Sequence, residues 1–190
     1  MQLKPLSRRS VTGFMLVEVL VALVLASVAV LALASSHAAA LRLGRMSQHR
    51  VQAMQLAADL AERLRANRAG VPGQEGAASA YQLERSWAAQ QGEAADPMAS
   101  ACDGALTACS AAQFAQADAA QWRSLLRRAL PSAAALVRVD ALQSQAEVWV
   151  AWKDPLLGSL DEALGAAECP PGLAVDAATG VRCIYLRVLW

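Results

Sequence analysis

An α+β chain is what the sequence predicts: one long N-terminal α-helix packed on a small C-terminal antiparallel β-sheet. Three observations carry that prediction. The 23 residues from Val19 to Leu41 hold no formally charged side chain. As a helix they reach about 35 Å, enough for a hydrocarbon core of about 30 Å. No proline stands between Pro5 and Pro72, so nothing in that stretch forces the helix to break. Finally, the last third of the chain holds three stretches in which side chains alternate with the period of a strand.

The helix is expected from about Phe14 to Arg68, some 80 Å in all. Residues 14–41 form its apolar, membrane-spanning half and 42–69 its amphipathic continuation. In the second half Met54, Ala57, Leu60, Ala61 and Leu64 recur at helical spacing, opposite Asp59, Glu62, Arg63 and Arg65. That stripe is expected to pack on the chain's own globular part, with a coiled-coil partner as the alternative. Gly70-Val71-Pro72-Gly73 ends the helix, because glycine suits the cap and proline cannot continue it.

Residues 70–190 form the globular domain. Its first part, 70–110, is rich in Ala, Gly, Gln and Ser without a clear period, and reads as loop with one short helix around Tyr81–Gln91. From Ser110, a suitable N-cap, the pattern Phe114, Ala117, Trp122, Leu125, Leu126, Leu130 predicts an amphipathic helix stopped by Pro131. Strands follow at 135–140, 146–152 and 182–190. In the second, Val148, Val150 and Trp152 share one face and Glu147, Trp149 and Ala151 the other. The sheet is expected to bury one face on the helix and leave the other wet.

A net charge of +1 with scattered basic residues gives no case for nucleic-acid binding. The 56% hydrophobic share is inflated by alanine and by the apolar run, so it does not imply a large core. Cys102, Cys109, Cys169 and Cys183 all follow that run, and an even number there points to disulfides in an oxidising compartment. Three pairings are open. Local loop closure favours Cys102 with Cys109, around a turn-prone segment, and Cys169 with Cys183, around Pro170-Pro171-Gly172. Charge does not orient the anchor, since Lys4, Arg8 and Arg9 before it are balanced by Arg42, Arg45 and Arg50 after it.

The inventory of reactive groups is thin. His37 and His49, twelve residues apart on one helix, cannot share a ligand, and the cysteine spacing does not suit zinc. Neither histidine lies in the globular part to serve a cysteine or serine nucleophile, and no glycine-rich phosphate loop is present. Asp154, Asp161 and Glu162 read as a solvated loop. No enzyme, metal site or cofactor is expected.

What remains unexplained is Glu18, a carboxylate inside the apolar segment, where charge is costly and presumed functional. It follows Lys4, Arg8, Arg9, then Gly13-Phe14. The string Gly13-Phe14-x-x-x-Glu18-Val-Leu-Val-Ala-Leu resembles the class III signal of type IV pilins and type II secretion pseudopilins. The resemblance implies that a prepilin peptidase removes leader 1–13 by cutting between Gly13 and Phe14, and N-methylates Phe14. It also makes Glu18 the acid used in assembly. Electrostatics agrees: an amine at a helix N-terminus adds to the positive end of the dipole, and a neighbour's Glu18 would offset both.

Helix first and sheet last also resembles the pilin fold. Leu60–Arg68, Cys102 and Cys109, Phe114–Asp118 with Trp122, and Leu130-Pro131 resemble minor pilins of the PilV kind. The Cys169–Cys183 loop is similar to the disulfide-bounded C-terminal loop of pilins. The chain departs from major pilins in lacking their helix proline. The implied protein is a non-enzymatic minor pilin, single-pass in the inner membrane with a periplasmic domain, extracellular once built into a pilus. Its implied partners are other minor pilins and pilus subunits, the peptidase and membrane lipid. A type II secretion minor pseudopilin shares the leader and topology, and a membrane-tethered periplasmic enzyme is the third alternative.

Overall fold

The computed structural model describes residues 16–68, 79–93, 102, 108–154, 167–176 and 180–189. Their elements are α1 (Leu16–Ala66), α2 (Trp87–Gln90), α3 (Ala111–Ala129), β1 (Ala134–Asp140), β2 (Gln145–Lys153), a 3-10 turn (Pro171–Leu173) and β3 (Val181–Leu189). The chain divides into two compact units, Met1–Leu43 and Gly44–Trp190, and α1 supplies residues to both.

In the first unit α1 is exposed along its whole described length, and its most apolar window has a mean hydropathy of 2.8. It is long and apolar enough to cross a membrane. Its two serines are satisfied within the helix: Ser27 and Ser35 donate to the carbonyls of Val24 and Ala32 at 2.7 and 2.8 Å. That economy suits a solvent with no hydrogen-bonding partners to offer.

In the second unit α1 buries Ala53, Ala57, Leu60, Ala61 and Leu64. The stripe therefore packs on the chain's own domain. Met54, expected in it, is 57% exposed. A step of four back from Ala57 lands on Ala53, and the small side chain there lets the helix sit close to its neighbours. Helix α3 begins as its sequence predicts, with Ser110 and Gln113 forming a reciprocal capping box. It buries Ala115, Ala119, Trp122 and Leu126, while Phe114 and Leu125 remain partly in solvent. The Trp122 indole donates to the Leu56 carbonyl of α1 at 2.8 Å, fixing one helix against the other.

The sheet is antiparallel throughout, in the order β1-β2-β3. Its inner face, with Ala135, Val137, Ala146, Val148, Val150, Trp152 and Val188, joins α1 and α3 in the main core. The outer face is not wholly wet. Ala134, Leu136, Ala151, Val181 and Cys183 form a second cluster with Leu173 of the 3-10 turn, flanked by Trp87, Trp149, Cys169 and Val175. The reason lies in the chain after β2, which returns across this face. Gly172 makes the close approach possible, since a Cβ there would sit 2.5 Å from Leu136 Cδ1. At the far end of the face Arg138 lies 5.8 Å over the Trp149 ring, and the Tyr185 ring sits tilted beside it at 4.7 Å.

Two further expectations are corrected. The short helix at Tyr81–Gln91 is confined to Trp87–Gln90, because Leu83 is drawn into a bridge with Val137 that holds the preceding backbone extended. Asp154 is not on a solvated surface but 4% exposed, since its N–H continues the sheet by bonding Gly180 at 2.8 Å. Asp161 and Glu162 lie outside the described residues.

Candidate functional site

The residues singled out by the sequence fall at three places. Gly13 and Phe14 lie outside the described residues. Glu18 stands in the first described turn of α1, exposed, with no hydrogen bond or ion pair among the described residues. A carboxylate near a helix N-terminus is favoured by the dipole, and here nothing among the described residues consumes it. The acid is presented outward, which suits a contact with another molecule.

The cysteines sit in the second unit and are joined locally, Cys102 to Cys109 and Cys169 to Cys183. The second bond ties the 3-10 turn's approach to β3, at the centre of the outer-face cluster. His37 is exposed and His49 half-buried, with its Nδ1 unpartnered. Among the described residues no group of three His, Cys, Asp or Glu could hold a metal.

A polar junction that sequence reasoning did not single out as a site binds α1 to the rest of its unit. Arg63 donates from Nε to Asp59 at 2.8 Å and from Nη1 to Gln121 at 3.0 Å, and pairs closely with Asp118. Asp118 also accepts from the Tyr81 hydroxyl at 2.8 Å. Asn67 donates to the Ala111 carbonyl at 3.3 Å, at the start of α3. The Arg63 and Asp118 side chains are only 19% and 11% exposed. Burial on its own would lower the Arg63 pKa, but the two carboxylates outweigh it and the net direction is upward. Burial pushes the Tyr81 hydroxyl well above its ordinary range, and the Asp118 carboxylate pushes it the same way. A guanidinium locked between two acids and a tyrosine held protonated make a clamp, with no group poised to attack or to take a proton near neutral pH.

Two shallow pockets flank the Cys169–Cys183 bond, one of about 260 Å³ reaching Asp154 and Trp152, the other of about 310 Å³ along β3. Neither combines a nucleophile with a base.

A family model described as Tt1218-like, type IV pilin Tt1218, matches residues 38–120. The match begins within α1 and ends inside α3, and so takes in Arg63, Asn67, Tyr81 and Asp118. No curated protein and no solved structure matches the chain. The family match supports a type IV pilin, and a long helix followed by a three-stranded antiparallel sheet agrees with a pilin fold.

Proposed function

We propose that the chain is a minor type IV pilin of the PilV kind, anchored once in the inner membrane with its globular unit in the periplasm, and carried out of the cell when built into a pilus. The observation that carries this reading is the pilin family match starting at residue 38, directly continuous with an apolar helix that presents Glu18 in its first described turn. The supporting physics is that of a charge with no partner among the described residues. Prepilin peptidase cuts between Gly13 and Phe14 and methylates Phe14. The new amine then sits at the positive end of a helix in a medium of low dielectric. Glu18 of an adjacent subunit supplies the anion, and pairing offsets the cost of burying either charge alone.

On this reading the globular unit does no chemistry. The Arg63–Asp118–Tyr81 clamp holds Arg63 of α1 against α3 within the second unit, and the disulfides close loops of that unit. The minor role, in a priming complex with other minor pilins, follows from the PilV-like residues and the absent helix proline.

The test is a Glu18→Leu variant expressed beside the native pilus subunits. It should reach the membrane at native levels, because the change removes an intramembrane charge. It should then be lost from sheared filaments and from pulldowns with other pilins. Native recovery in both would contradict the pairing. Recovery of the unaltered chain only with type II secretion components would move the same chemistry to a pseudopilin.

A further inference from the structure

The two outer edges of the sheet are finished differently. The Lys153 N–H bonds toward the β1 side, to Pro131 at 2.9 Å, and the Asp154 N–H toward the β3 side, to Gly180 at 2.8 Å. Antiparallel pairing alternates along a strand, so odd residues of β2 pair with β1 and even ones with β3. Through the register this turns Ala135, Val137 and Val139 outward on β1, and Cys183, Tyr185 and Arg187 outward on β3.

On β1 each outward residue is met. The Gln90 amide takes Ala135 at both ends, at 2.9 and 3.0 Å, and Leu83 takes Val137 both ways at 2.9 Å. The Val139 N–H is met by Gln82 Oε1 at 2.8 Å. On the outward side of β3, a strand of nine residues, only the terminal Leu189 carbonyl is met among the described residues, by Arg65 Nε at 3.2 Å. A bare strand edge is a template for another strand, and folded chains ordinarily block it.

Beside this edge runs the groove of about 310 Å³, with Met54 and Arg50 of α1 on one side and Ile184 and Tyr185 on the other. Met54 is 57% and Tyr185 49% exposed. Arg50 has no hydrogen bond or ion pair among the described residues, and Arg187 is met by the neutral Gln145 oxygen at 3.1 and 2.7 Å. Of the nearby acids, Glu168 accepts twice from Arg182 at 3.0 and 2.9 Å, and Glu147, which accepts from Tyr185 at 3.3 Å, stands opposite Arg187 across the β2–β3 pair and offsets its charge. The groove thus offers open backbone groups, an apolar wall and, in Arg50, one cation unpaired among the described residues.

We propose that the β3 edge takes up an extended, acidic segment of a partner protein as a fourth strand. Its backbone pairs with Cys183, Tyr185 and Arg187, and its helix-facing side chains set apolar groups against Met54 and a carboxylate at Arg50. Main-chain pairing supplies the affinity and alternate side chains the selectivity. The inference rests on the sheet edge and does not depend on the assembly reading.

The full chain in detergent micelles is titrated with the blocked peptide Thr-Val-Thr-Glu-Thr-Val, whose valines and glutamate share one face. Binding is expected to slow hydrogen exchange across Val181–Leu189 by about tenfold or more, without change at Leu83 or Val137. N-methylating one alternate set of peptide amides should weaken binding about tenfold or more, while methylating the other set leaves it within about twofold. A Lys-for-Glu peptide, and R50E in the protein, should each cost a similar factor. No binding at about 1 mM, equal binding of both methylated peptides, or edge-to-edge dimers that exclude the peptide would overturn the proposal. Tyr185→Pro removes an outward N–H without touching the β2 ladder, and undiminished binding by a folded form of it would do so as well.

Discussion

Replacing Gln90 by leucine tests whether a side chain finishes the sheet. Gln90 is 7% exposed and makes three bonds: two with Ala135, which is 0% exposed, and one of 2.9 Å to the Arg85 carbonyl. Leucine keeps the bulk and removes all three. An unsatisfied buried donor or acceptor costs about 1–3 kcal/mol. Counting only the two groups on Ala135, and allowing about 1 kcal/mol back for apolar burial, the loss is about 1–5 kcal/mol. That is a large share of the about 5–15 kcal/mol that holds a domain folded. In urea titrations of the full chain in detergent, followed by near-ultraviolet tryptophan signal, the midpoint should fall by about 1–2 M at unchanged slope. Gln82→Leu is the control: it removes one bond to the half-buried Val139 and should cost about 1 kcal/mol or less. If Gln90→Leu shifts the midpoint no more than Gln82→Leu, the amide does not close that edge.

Alkaline stability should depend on Tyr81. Its hydroxyl stays protonated in the folded state above the pH, about 10, at which the unfolded chain releases the proton. The folded state then binds more protons, so stability present below about pH 10 is lost as pH rises further. Tyr81→Phe should be modestly weaker at neutral pH yet show a flatter decline in urea midpoint above about pH 10, and parallel declines would contradict the clamp. Removing the Cys169–Cys183 bond with paired serines frees a loop of sequence separation 14, worth about 3 kcal/mol on the chain-entropy argument. A calorimetric midpoint unchanged from the native chain would show that the outer-face cluster alone holds β3.

The sequence carried the local features well. Alternation placed all three strands to within a residue or so at each end, and Ser110 and Pro131 bracketed α3. Reading failed where closure depends on distant partners. Met54 and Ala53 are both apolar and adjacent, and only the close seat of the helix on its core separates them. Gln90 is one of two neighbouring glutamines, with nothing local to mark it as the residue that meets Ala135, 45 positions away. Asp154 reads as loop until the Gly180 carbonyl is seen to receive its N–H. The clamp is half legible: Leu60–Arg68 and Phe114–Asp118 resemble segments of minor pilins, but sequence spacing does not bring Arg63 against Asp118, 55 residues on. Glu18 was legible because a charge amid apolar residues needs no tertiary context to stand out.

The measurement closest to the central claim is peptide mass spectrometry of the amino terminus, on protein recovered from membranes of cells holding an active prepilin peptidase. The account predicts a mature chain beginning at Phe14, its α-amine carrying one methyl group. It also predicts that Gly13→Val accumulates uncut, because a β-branched residue lacks glycine's backbone freedom at the scissile bond. A chain that still begins at Met1, or one cut elsewhere in the apolar run, would contradict it.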